Sequence, residues 1–153
     1  MKKFSNQDGT DLVEVNRKNI VGLPYSLHDA RVNKIKIEAE KIVISFHYGF
    51  FEPTNGDLLS VKGNVAISIT GFDLDFCVVY LMDCWKDFGK FTGEKLSLEE
   101  FINRFPAIDF EIIDETYGYN QSKFSGYLYT KKEMKECFIE IYHFGDMKYI
   151  LED

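Results

Sequence analysis

Hydrophobic and polar residues alternate along most of this chain with a period of two, the spacing of a half-buried β-strand. Ile35 and Ile37 form one such run, and Ile42, Ile44, Phe46 and Tyr48 form a second. The short polar connection Glu38-Ala39-Glu40-Lys41 suits an antiparallel hairpin between them. Pro24 lacks an amide donor and biases Leu23 toward extended geometry, so the pair of strands is preceded by a polar lead-in turn, Ser26 to Ala30. Pro53 and Asn55-Gly56 mark the next turn. Leu58 to Thr70 then alternates cleanly, with Leu59, Val61, Val65, Ile67 and Ile69 on the core phase and a bend expected at Gly63.

Asp73 to Asp83 breaks the alternation. Leu74, Phe76, Val78, Tyr80 and Met82 occupy one phase and Cys77, Val79 and Leu81 the other, which predicts a strand covered on both faces. The expected cover is a helix over 97–105. Ser97 with Glu100 three residues on forms a capping box, Pro106 closes the helix, and Leu98, Phe101, Ile102 and Phe105 supply the apolar stripe. Four further strands are predicted at Ile108 to Thr116, Lys123 to Thr130, Glu136 to Phe144 and Met147 to Leu151, the last two joined by Gly145-Asp146 as a type II′ hairpin. These elements predict a mainly β chain, an antiparallel two-sheet sandwich or open barrel of about eight strands with one short helix. The 153 residues suit a single domain, with residues 1–11 a loose arm or a first hairpin turn.

Composition narrows the partners. A net charge of −7 sets a field that repels phosphate backbones, so neither nucleic acid nor an anionic membrane is an expected partner. Lys131, Lys132 and Lys135 are the densest basic group and read as a solvated turn. The three cysteines, Cys77, Cys84 and Cys137, show no CxxC spacing, which points to buried free thiols in a reducing, cytoplasmic setting. No apolar run is long enough to span a bilayer.

Candidate chemistry is scattered. The chain has no GxGxxG, P-loop, HExxH or GxSxG motif and nothing that calls for a cofactor. A polar or metal site would have to be gathered from His28, Asp29, His47 and His143, with Asp146, whose imidazoles and carboxylates suit zinc or an oriented general base. The bland alternative makes His28-Asp29 a turn network that starts the sheet, with His143 on the core phase and His47 facing outward. Asp73 and Asp75, and Asp109, Glu111, Asp114 and Glu115, form acidic groups that read as solvated faces. Trp85, Phe88 and Phe91 in a glycine-bearing loop, with Tyr117 and Tyr119, are the candidate anchors for a protein partner, because aromatic residues dominate binding hot spots.

The segment Leu27-His28-Asp29-Ala30-Arg31-Val32, entering a strand whose hairpin partner is Ile42-Val43-Ile44-Ser45-Phe46, resembles the lead-in of small bacterial β-rich domains, some grouped with immunity proteins of polymorphic toxin systems. The resemblance implies a small acidic cytoplasmic protein that binds and blocks a toxin, and it carries over no catalytic residue. The leading expectation is thus a non-enzymatic acidic module that binds a protein, a basic one suiting its charge. A metal-dependent or acid-base enzyme on His28, Asp29, His47 and His143 is the alternative, and a small-molecule binder a further one.

Overall fold

The computed structural model describes residues 2–5, 11–17, 22–54, 57–60, 64–83 and 92–152. The strands among them are β1 (Lys2–Ser5), β2 (Asp11–Asn16), β3 (Arg31–Glu38), β4 (Lys41–Phe46), β5 (Phe51–Thr54), β6 (Asp57–Ser60), β7 (Val65–Thr70), β8 (Val78–Asp83), β9 (Gly93–Ser97), β10 (Phe110–Gly118), β11 (Gln121–Tyr129), β12 (Met134–Tyr142) and β13 (Met147–Glu152). One helix, α1 (Leu98–Arg104), follows β9 directly, with Ser97 Oγ accepting the Glu100 N–H at 3.1 Å as its cap. The chain is therefore mainly β with one short helix where the capping box predicts it. The strand count of about eight drawn from the alternation is too low, because short strands such as β1, β5 and β6 leave almost no periodic signal.

Eleven of the strands form one antiparallel sheet in the order β1-β2-β13-β7-β4-β3-β10-β11-β12-β8-β9, and β5 pairs with β6 apart from it. The hairpin of β3 and β4 pairs Glu38 with Lys41, and β5–β6 pairs Thr54 with Asp57, both where turns are predicted. The single strand expected over Leu58 to Thr70 is instead divided between β6 and β7, which lie in different sheets. Gly63, the predicted bend, is outside the described residues.

This sheet folds over on itself. Four strands separate β13 from β11, a gap of about 24 Å in a flat sheet at about 4.8 Å per strand. Ser122 of β11 nevertheless reaches Met147 Sδ of β13 at 4.0 Å. The fold is made by a corner. Residues of β7 and β8 run antiparallel to β13 and β12, and between the two ladders Phe72 bridges His143 while Phe144 N–H donates to Gly71 O at 2.8 Å. Here the predicted type II′ hairpin is overturned: β12 and β13 do not pair with each other, and each continues beside a different neighbour. Gly145 serves close approach instead. A Cβ there would collide with the Thr70 backbone, its carbonyl oxygen 2.5 Å away.

A single core cluster fills the fold, drawing Ile42, Ile44, Ile67, Ile69, Val79, Leu81, Phe110, Phe124, Ile139 and Ile141 from their strands and Leu98 and Phe101 from α1. Two bulges set which residues join it. One, between Val32 and Lys34, lets both Val32 and Ile35 face inward despite opposite phase. The other, between Ile112 and Asp114, shifts the register of β10 against β11. Past it the inward phase changes, so that Tyr117 packs against the core.

The strand predicted over 73–83 also departs from expectation. Leu74–Phe76 is a single 3-10 turn, capped by Asp73, and only β8 remains extended. Its Val79 and Leu81 are buried, but the second face is left half-open at Val78, Tyr80 and Met82, and Phe76 is 63% exposed. The helix does not cover that face. Its Leu98 and Phe101 are in the same core cluster as Val79 and Leu81, because the pocket they fill lies on the inner side of the fold.

Candidate partner-binding surface

The histidines are separated. His28 and Asp29 sit on an exposed turn that docks on β10: Asp29 N–H donates to Ile112 O at 2.8 Å, and His28 Nδ1–H donates to Ile113 O at 2.6 Å. His28 Nε2 lies 3.5 Å from Asp29 Oδ2, and Asp29 takes a left-handed φ of 65°, which Asp tolerates better than most residues. His143 is buried and accepts from Ser122 Oγ through Nε2 at 2.7 Å, because its Nδ1–H donates to Gly145 O at 2.8 Å. His47 is exposed, pairs with the Tyr48 ring, and borders a hollow of about 340 Å³ with Arg31, Asn33 and Asp109. Exposed His47 and buried His143 match the phases their strands predict. Asp146 stands at the corner, its carbonyl accepting from Thr70 N–H at 3.2 Å. Among the described residues no group of three or more His, Cys, Asp or Glu is arranged to hold a metal ion.

The turn of His28 is pH-sensitive. Its hydrogen bond to the Ile113 carbonyl, helped by Asp29 and opposed by partial burial, raises its pKa above the usual 6.5. A raised histidine contributes stability that is complete below the unfolded pKa and is lost as the pH rises through the folded one. We expect His28→Gln to cost more stability at about pH 5.5 than at about pH 8, by less than about 1 kcal/mol because the ring is solvent-screened. Urea melts at the two pH values measure the difference, and equal losses would contradict it.

The acidic strand face is already occupied. Arg31 reaches Asp109 at 3.0 Å and Glu111 at 3.9 Å, and its guanidinium lies over the Tyr129 ring at 4.6 Å while Tyr129 donates to Glu111 at 3.0 Å. Glu115 is turned inward by the β10 bulge. Its Oε2 accepts the Leu27 N–H at 2.6 Å and its Oε1 the Tyr117 hydroxyl at 3.3 Å, and burial raises its pKa. The Tyr149 hydroxyl, also buried, faces Tyr117 and Glu115. Tyr117 therefore belongs to the interior, with Arg17 stacked 4.3 Å above its ring.

The proposed aromatic anchors divide accordingly. Trp85, Phe88 and Phe91 lie outside the described residues. Tyr119 is 95% exposed on the β10–β11 turn, whose Asn120 carbonyl accepts the His143 N–H at 3.0 Å. That turn borders a surface the strand pattern concealed. The ring of Phe76 lies 5.7 Å from Tyr142, and Tyr142 lies 5.1 Å from Phe144, giving one aromatic strip with both phenylalanines more than half exposed. Register carries the same outer face onto Phe138 opposite Tyr80, with Val78 and Met82 of β8 beside them. Phe138 is 40% exposed, and Lys95 of β9 stands over the Tyr80 ring at 5.9 Å.

The sequence pattern puts Phe76 in a strand covered on both faces and marks neither Tyr142 nor Phe144 as an anchor. The signal in the chain is the double-phase run at 73–83: apolar residues on both faces of a strand require either a cover or a partner. Other concavities are shallower in chemistry. A hollow of about 430 Å³ between α1 and β3 is lined by Ile35, Ile37, Ile102 and Pro106 with Lys34 and Lys36 at its edge. No helix among the described residues is long and apolar enough to cross a membrane. Set against protein-family models, curated proteins and solved structures, the chain finds no match in any of the three.

Proposed function

We propose that this chain is a non-enzymatic acidic module that binds a protein partner in the cytoplasm through the outer face of β8 and β12. The exposed strip Phe76-Tyr142-Phe144 carries the reading. Large apolar rings on a fixed sheet corner lose little side-chain freedom on docking and desolvate much area, the combination that makes binding hot spots. The β8–β12 ladder and the corner hold the strip rigidly, so the surface is ready before the partner arrives. The resemblance at Leu27 to Phe46 extends the reading to an immunity-like role, in which the bound protein is a toxin held inactive. We further read the folded sheet as two facing layers joined at the corner. In support, the link between β3 and β10 is only two residue pairs long, Phe110 with Val32 and Glu111 with Arg31.

Affinity capture from native cytoplasm at low and at moderate salt tests the reading. A stoichiometric protein partner is expected, and replacing Phe76 and Phe144 together by serine is expected to weaken its binding by about thirtyfold or more, the loss of about 2 kcal/mol typical of a hot spot. The absence of any stoichiometric partner at both salt concentrations would count against the module. Undiminished binding by the double variant would remove the surface from it.

A further inference from the structure

We propose that the Phe76-Tyr142-Phe144 strip receives arginine side chains of a basic partner; this names the chemistry of the partner and rests on the binding-module reading above. Four rings elsewhere in the fold have a cation of the same chain beside them. Arg17 covers Tyr117 at 4.3 Å, Arg31 covers Tyr129 at 4.6 Å, Arg104 lies 5.4 Å from Phe105 and Lys95 lies 5.9 Å from Tyr80. Among the described residues, no cation of this chain is placed over Phe76, Tyr142 or Phe144. The strip is a run of π faces that the fold leaves for something else.

The charges nearest it along the chain have one sign. Within three residues along the chain of its rings stand Asp73, Asp75, Glu140 and Asp146, and not one lysine or arginine. Asp75 is exposed on the same turn as Phe76. Lys123, across the ladder from Glu140, is held by that carboxylate at 3.4 Å. A neutral apolar partner laid over the rings would desolvate these carboxylates without replacing their water, whereas a cationic one satisfies both. Guanidinium fits best, because its plane stacks on aromatic rings while its edge presents paired donors to a carboxylate.

Amidated peptides that alternate arginine with leucine, lysine with leucine, glutamine with leucine, and glutamate with leucine serve as probes. Each is titrated into the isotopically labelled full chain, with the backbone amides of Phe76, Tyr142 and Phe144 as reporters. The arginine peptide is expected to shift those amides and to bind about tenfold or more tightly than the glutamine and glutamate peptides, with lysine between. Phe76→Ser with Phe144→Ser should weaken it by about tenfold, and D75N with D146N by about threefold, the size of exposed cation–π and ion-pair contributions. Both phenylalanines are largely exposed, so the variants should keep the parent melting temperature, which is checked alongside.

Equal binding of the glutamine peptide at the same amides would overturn the arginine assignment while leaving the docking surface standing. Arginine-peptide binding that is unchanged in the double phenylalanine variant, or that leaves the strip amides unmoved, would also overturn it. Failure of the surface itself is read separately, from natural partner capture that ignores the same two substitutions.

Discussion

Gly126→Ala is expected to destabilise the fold by about 3 kcal/mol or more, the range of substitutions that force a backbone collision. Gly126 sits on β11 opposite Ile112, immediately before the β10 bulge. A Cβ at that position would overlap the Glu111 carbonyl oxygen and lie 2.9 Å from the Glu111 carbonyl carbon and 3.0 Å from Ile113 N. All three atoms are backbone, so no side-chain rotation relieves the clash. The ladder must open or the bulge must move, and moving it returns Glu115 and Tyr117 to the outer phase. Elsewhere the same change would stabilise by about 0.4–1 kcal/mol through the unfolded chain, so the sign itself is informative. Urea melts give the answer as a lower midpoint, and a loss below about 1 kcal/mol would show that the bulge does not need the glycine.

Glu115→Ala is expected to cost about 2–3 kcal/mol, because it strips acceptors from two donors in a partly buried setting. The Leu27 N–H and the Tyr117 hydroxyl lose their partner, and Arg17 loses the attraction of an inward carboxylate. The segment that presents His28-Asp29 loses one of its ties to β10. Glu115→Gln should cost less than about 1 kcal/mol, since the amide oxygen still accepts while the buried charge is gone. The pH dependence follows from the sign of the shift. Burial raises this carboxyl above its usual 4.5, so the folded state binds its proton more tightly than the unfolded one. Its charge costs stability above the folded pKa, and that cost is relieved as the pH falls through it toward the unfolded value. As the pH falls from neutral toward the usual 4.5 the parent should therefore gain stability relative to Glu115→Gln. A parallel pair of pH–stability curves would contradict this.

How much of this was legible in the chain depends on period. Residues that kept strict alternation, such as Ile42, Ile44 and Phe46 or Val65, Ile67 and Ile69, fall on the faces their phase predicts. Ser97 and Glu100 gave the helix to within a residue at each end. What failed was everything that depends on a break in period or on long-range pairing. The bulge before Asp114 has no sequence mark other than Gly126, which is its steric complement on another strand. That one residue of offset moved Glu115 from an acidic outer face into the interior and Tyr117 from a candidate anchor into the core. Gly145-Asp146 has the composition of a hairpin, yet the pairing preferences of β2 and β7 take β13 away from β12. The outer strip was missed for the related reason that Phe76, Tyr142 and Phe144 come together only at the corner, from segments more than sixty residues apart.

Oxidative footprinting of the full chain, free and with the captured partner, addresses the binding face most directly. Phe76, Phe138 and Phe144 are expected to lose reactivity by about fivefold or more on binding, as rings do when an interface core excludes water. Tyr48, 72% exposed beside the Arg31–Asp109 hollow, supplies the control and should react unchanged. Protection of Tyr48 with Phe76 and Phe144 still fully reactive would contradict the assignment and move the binding surface to the other side of the sheet.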